Sequence, residues 1–252
     1  MALFHFNMHL YIMDRLIHIR TRALFAFVLL LMAFTSCNKE AIDYELFGPE
    51  YYPLKTGNYI IYTVDSIHFY DVTLTSDTFT YELKELVDTL ITDWNGNSSY
   101  VIKRFIRTDQ NQAWQLKRVW SAQVYNDRAE RQEENLRFMK LNFPVIRNKS
   151  WRGNVYITPD TAHNYAPDWL YTYTNIDTTL IVNGEKLDSC IVIEQYNEQN
   201  QIEKHIEREM YQIGTGMVFK ESVFVGRQTI NTQNWIPEKG RIVRYRFLEK
   251  NY

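Results

Sequence analysis

Apolar and polar residues alternate with a period of two along most of the chain, a pattern that puts apolar side chains on one face of a pleated strand. In Phe79–Asp88, the residues Phe79, Tyr81 and Leu83 face one way, and Thr80, Glu82 and Lys84 face the other. In Asn111–Trp120, the set Trp114, Leu116 and Trp120 shares a face with Arg118, while Gln115 and Lys117 oppose it. Arg241–Leu248 sets Val243, Tyr245 and Phe247 against Arg244 and Arg246. Comparable runs cover Tyr59–Val64, Tyr100–Arg107, Arg137–Phe143, Leu170–Thr174, Asp188–Gln195, Ile202–Tyr211 and Met217–Val225. Turn signals separate them. Asn95-Gly96 and Asn183-Gly184 are hairpin cues, because both residue types tolerate positive φ. The second joins Thr178–Val182 to Glu185–Val192. The charged run Asn126–Asn135 reads as a solvated loop or a single helical turn. The fold expected is mainly β: a single domain of about ten antiparallel strands over residues 47–252, forming a curved sheet, half-barrel or barrel-like meander.

The N-terminal stretch breaks this pattern. Arg15, Arg20 and Arg22 form a basic region, Ala23–Phe34 an uncharged apolar run, and Thr35-Ser36 a pair of small residues before Cys37. These are the three parts of a secretory signal. The apolar run is about a dozen residues, shorter than the roughly 20 a bilayer-spanning helix needs. Residues 1–36 are therefore expected to be removed after export, with Met1 and Met13 both open as the start. Ser36-Cys37 resembles the bacterial lipobox, in which the cysteine after a small residue is acylated. Phe34 departs from the Leu more usual in that motif. The resemblance makes Cys37 the lipid-bearing first residue of the mature chain and residues 37–46 a lipidated N-terminus and tether. It also makes the membrane a partner through the acyl chains, since two or more chains give stable anchoring.

Composition changes this picture little. The chain carries 28 basic and 30 acidic side chains, a formal charge of −2, with no basic stripe for nucleic acid. Of two cysteines, one is Cys37, which leaves Cys190 without a disulfide partner; its setting, Asp188-Ser-Cys-Ile-Val-Ile, suits a small buried hydrophobe. Aromatic residues make up 15%, with 18 tyrosines, which favours strands. Beyond the signal the histidines are His68, His163 and His205, and no two stand at metal-ligand spacing. Glu203 and Glu207 share a strand face with His205, expected as a polar stripe facing solvent. No nucleophile elbow or phosphate-cradling motif is present, so neither a metal nor a cofactor is expected.

Two weaker signals remain. The tryptophans Trp94, Trp114, Trp120, Trp151, Trp169 and Trp235 could fill a core or offer stacking faces to a ligand. Trp114 and Trp120, with the alternating Trp169, Tyr171 and Tyr173, are the stacking candidates. Asp65-Ser-Ile, Asp88-Thr-Leu, Asp160-Thr-Ala and Asp177-Thr-Thr are similar to the Asp-Ser/Thr-aliphatic acceptor of bacterial O-glycosylation. The acceptors would be Ser66, Thr89, Thr161 and Thr178.

Three segments carry a wider resemblance: Tyr52-Pro-Leu-Lys-Thr-Gly-Asn-Tyr-Ile-Ile-Tyr, Leu141-Asn-Phe-Pro-Val-Ile-Arg-Asn-Lys-Ser-Trp-Arg-Gly and Tyr211-Gln-Ile-Gly-Thr-Gly-Met-Val-Phe-Lys-Glu. In this order they resemble a Bacteroides-group family of outer-membrane lipoproteins with no assigned activity, patterned Pro-Leu-x-x-Gly-Asn, then Phe-Pro and Trp-x-Gly, then Gly-x-Gly-x-Val. The Tyr59–Tyr62 stretch carries Ile where the family more often has Trp, and Val145 replaces a Leu. The resemblance implies a β fold and an outer-membrane address, on the periplasmic face or the cell surface, and no reaction. The leading reading is a non-catalytic lipoprotein that binds a ligand, a glycan or an envelope protein on its concave sheet face. A glycan hydrolase, which needs two carboxylates roughly 5 to 10 Å apart across a cleft, and a structural component of an envelope complex are the alternatives.

Overall fold

The computed structural model describes residues 48–92, 96–157, 169–228 and 235–252. The chain divides into two units, Met1–Tyr44 and Glu45–Tyr252, and all described residues belong to the second. Cys37, Trp94, Asn95, Thr161 and His163 lie outside the described residues.

A short 3-10 turn, Pro49–Tyr51, leads into twelve strands: β1 Tyr59–Tyr70, β2 Thr75–Thr92, β3 Ser98–Arg107, β4 Gln115–Val124, β5 Arg128–Glu133, β6 Leu136–Asn142, β7 Ser150–Arg152, β8 Leu170–Val182, β9 Glu185–Gln199, β10 Glu203–Gln212, β11 Gly216–Gly226 and β12 Lys239–Lys250. Each pairs antiparallel with its sequence neighbour, except that β6 and β7 are the two edges. The first and last strands join through ten register pairs, from Ile60↔Lys250 to Phe69↔Gly240. The meander thereby curls into a barrel open only between β6 and β7. Among the described residues, hydrogen bonds bridge that seam: the Met139 N–H donates to the Gly153 carbonyl at 2.8 Å, and the Trp151 indole donates to the Met139 carbonyl at 2.9 Å. Gly153 has to be glycine here, because a Cβ would stand 2.3 Å from the Tyr171 ring.

The expected hairpin at Asn183-Gly184 is present, with φ of 50° and 84°, and it joins β8 to β9. The charged run is not the expected loop. Its centre is β5, which presents Ala129 and Arg131 to the interior. A strand can turn an arginine inward when carboxylates wait there, and Glu85 does. The register of Asn111–Trp120 also differs from the simple alternation. The β3–β4 pairing jumps from Arg104↔Arg118 to Phe105↔Leu116. That bulge inserts one residue and flips the face beyond it. Trp114 consequently lies against Lys84 and Arg107, outside the barrel, whereas Trp120 points in.

Inward rows carry Ile60, Tyr62 and Val64 of β1, Leu83 and Val87 of β2, Ile191 and Ile193 of β9, and Phe247 of β12, all in one core cluster. Each fully buried aliphatic or aromatic side chain contributes roughly 1.5–3 kcal/mol. Outward rows carry charge in mid-strand. Glu221 accepts hydrogen bonds from Arg208 Nε and Arg244 Nε, each at 2.7 Å, and Arg246 pairs with Asp65. A membrane-spanning barrel carries a lipid-facing apolar band at such positions.

Candidate functional site

The barrel has two mouths, and the chain enters at one of them. Turn and strand ends fix this end: Tyr52 stacks on Tyr211 at 6.0 Å, the Gly214 N–H donates to the Glu50 carbonyl at 2.8 Å, and the last residue, Tyr252, donates its hydroxyl to the Thr215 carbonyl. Between these elements lies a narrow, half-open cleft of about 60 Å³, room for only a few ligand atoms and below the roughly 300–1,000 Å³ of drug-sized sites. Leu54, Ile60, Val87, Ile102 and Met217 form its apolar wall. Tyr52, Tyr62, Tyr211 and Tyr252 add four phenol rings. Burial pushes the Tyr52 and Tyr252 hydroxyls up to about 12, so they remain neutral donors across the physiological range.

Glu85 and Arg131 are the charged groups lining the cleft. Glu85 accepts hydrogen bonds from Arg104 Nε at 2.8 Å and from Arg131. Burial alone would raise the Glu85 pKa, but Arg131 and Arg104 outweigh it and hold the carboxyl below its ordinary range. Both guanidiniums also pack on Trp120, its ring centroid 3.7 Å from Arg104 and 4.6 Å from Arg131. Arg131 keeps one buried guanidinium nitrogen, Nε, without a hydrogen-bond partner.

Deeper in the barrel a second charge cluster crosses the lumen. Glu209 accepts from Lys140 Nζ at 2.6 Å, Lys220 Nζ at 3.1 Å and the Tyr211 hydroxyl at 2.7 Å. Lys140 also stands 3.4 Å from Glu133. Burial opposes ionisation of every member. The mutual fields win, so both carboxyls are held low and both ammoniums high. The cleft is thus a pocket that ends on fixed charges. Its one carboxylate, Glu85, is tied to two arginines and has no second carboxylate facing it among the described lining residues.

The aromatic candidates divide. Tyr171 and Tyr173 are 2% and 0% exposed and Trp169 is 7% exposed, so they pack the interior rather than offer a free face. Tyr173 lies 4.6 Å from Trp151, and Trp169 lies 5.2 Å from Tyr196. Trp120 is engaged by the two arginines, and Trp114 is half-covered by Lys84 and Arg107. The alternation of Trp169, Tyr171 and Tyr173 was legible, but it marked core. The tyrosines of the cleft come from three segments: Tyr52 and Tyr62 bound the first of the quoted segments, Tyr211 opens the third, and Tyr252 follows β12.

The remaining candidates also scatter. Ser66 is 8% exposed, faces inward and shares a 3.0 Å hydrogen bond with His68 Nε2. Thr178 is half-buried on β8, and Thr89 on β2 is exposed. Of the described acceptor candidates, only Thr89 stands clear of the surface. His205 and Glu207 are not a solvent stripe: they face the second mouth, with the His205 Nε2 3.5 Å from Glu207. The closure of the sheet turns that row inward. Cys190 is buried and unpaired, its thiol pushed up to about 11 by burial and the nearby Asp188.

No family model matches the chain, and no curated protein matches it. A solved structure that does match is a candidate lipoprotein from Parabacteroides distasonis, 11% identical, with a TM-score of 0.37, covering 80% of this chain and 98% of its own.

Proposed function

We propose that this protein is an envelope lipoprotein, anchored through Cys37 to the outer membrane, that binds a small, largely apolar ligand in the tyrosine-lined cleft and does no chemistry on it. The observation that carries this reading is the cleft itself: apolar walls and phenol donors, closed beneath by paired charges. Burying an apolar ligand there is worth roughly 25 cal/mol per Å² before the costs of association. The ion-paired, low-pKa Glu85 is a poor general base or acid, which favours binding over catalysis. The signal and lipobox motifs support the address.

Acyl ligands test the reading. The mature protein is titrated with butyrate, hexanoate and octanoate, followed by calorimetry. Saturable binding is expected, and Val87→Trp, which fills the cleft, weakens it at least tenfold, or about 1.4 kcal/mol. Absence of saturable binding, or equal binding by Val87→Trp, would overturn it. In cells, Cys37→Ala is expected to abolish acyl labelling and release the protein from the membrane fraction.

A further inference from the structure

The opposite mouth of the barrel holds a second, open pocket of about 430 Å³, built on the ends of β9 and β11 and the starts of β10 and β12. Its register defines which side chains share the inner face. One row is Glu203↔Gly226↔Lys239 and the next is Glu198↔His205↔Phe224. Both rows continue the inward face of these strands: on β10 and β12 they keep the parity of Tyr211 and Phe247, and on β9 the bulge at Gln195 shifts the parity, so that Glu198 shares the face of Ile193. Phe224 is 59% exposed, an unusual state for a phenylalanine on the inner face of a barrel.

Phe224 is also held in place. The His205 ring meets it edge-on at 5.2 Å and 83°. Tyr196 backs His205 at 4.5 Å, and the buried Trp169 backs Tyr196 at 5.2 Å. Four rings thus run from the core to one open ring at the rim. Gly240 permits the placement, because a Cβ there would stand 2.1 Å from the Phe224 carbonyl oxygen. Asn200 stiffens the hairpin below: its side-chain oxygen accepts from the Ile202 and Glu203 N–H groups at 2.9 and 2.8 Å. Glu203 and Lys239 both line the cavity, two strands apart with Gly226 between them.

An open aromatic ring beside an exposed carboxylate and an exposed ammonium matches one ligand class closely. A sugar ring has an apolar C–H face, which stacks on an aromatic, and a rim of hydroxyls that both donate and accept. We infer that this mouth is a saccharide-binding site, with Phe224 the stacking platform and Glu203 and Lys239 the hydroxyl partners. The described chain begins at the other mouth, with Pro49–Tyr51 before β1. Pre-organisation of the ring row and the hairpin lowers the ordering cost of binding. The site is independent of the acyl cleft, and the two are separable by experiment.

The test uses the full mature lipoprotein on an array of neutral, acidic and amino-sugar oligosaccharides, with affinities for the bound members measured by calorimetry. Binding to at least one class is expected. Phe224→Ala weakens it at least tenfold, and Glu203→Gln weakens it severalfold, while Val87→Trp leaves it unchanged. Phe224 is exposed, so its replacement leaves the fold intact, checked by the unfolding midpoint. An array with no bound saccharide overturns the inference, as does binding that Phe224→Ala does not alter. Loss of acyl binding in Val87→Trp with retained saccharide binding separates the fate of the two sites.

Discussion

Glu209 sits where a β-strand ordinarily places an aliphatic side chain, and it is 1% exposed. It is tolerated because two ammoniums and a phenol reach it. Glu209→Leu would therefore not act as a simple gain of hydrophobicity. It leaves Lys140 and Lys220 buried with one fewer counter-charge, and removing one partner of a buried pair costs about 3–5 kcal/mol. Urea unfolding with an unchanged slope measures this. A loss below about 1 kcal/mol would show that the cluster stays hydrated in solution. The polar identity of Glu209 is readable in the run Ile202–Tyr211. Its partners are not, since Lys140 lies 69 residues away in sequence.

At the scale of elements, the seam between β6 and β7 is the weakest join of the sheet. Among the described residues one backbone hydrogen bond and the Trp151 indole join β6 to the β7 segment, where every other neighbouring pair of strands is paired in register over three residues or more. Trp151→Ala removes both the indole donor and the ring 4.6 Å from Tyr173. The expected cost is about 3–5 kcal/mol, as for other buried aromatic truncations. The Met139 amide should also exchange with solvent faster than amides of β1 and β12, because the loss is local to the seam. Equal protection across the sheet after the substitution would mean that the seam opens only with global unfolding. Gly153→Ala probes the same place by overpacking against Tyr171 and should cost about 1–3 kcal/mol.

For the molecule as a whole, the lumen charges set the pH range of stability. Glu85, Glu133 and Glu209 are held below the ordinary carboxylate range by Arg131, Arg104, Lys140 and Lys220 acting against burial. A carboxyl depressed by folding stabilises above its unfolded pKa of about 4.3 and loses that contribution as pH falls through the folded value. Lys140 and Lys220 are raised by Glu133 and Glu209, also against burial. They stabilise fully below their unfolded pKa of about 10.4 and lose the contribution as pH rises above it. The unfolding temperature should therefore hold level from about pH 5 to about pH 10 and fall on both sides. A steady decline between about pH 6 and 9 would place the controlling groups elsewhere.

The amino-acid sequence by itself determined the strands and most of their ends, because period-two alternation and Asn-Gly turns act over a few residues and need no distant partner. Asn183-Gly184 is one such turn, and the β1 and β12 runs are two such strands. The export signal expected in residues 1–36 and the acylation proposed at Cys37 rest on the same local kind of information. Only the tertiary structure decided which polar residues turn inward. β5 is a strand because Arg131 finds Glu85 across the lumen, 46 residues away. The bulge in β4 sends Trp114 and Trp120 to opposite faces, and a single inserted residue leaves no mark in composition. Both mouths exist because β1 pairs with β12, a closure that brings Tyr52, Tyr62, Tyr211 and Tyr252 together at one end and leaves Phe224 open at the other. Alternation is a property of neighbours along the chain, whereas a cavity is a property of strands far apart in it.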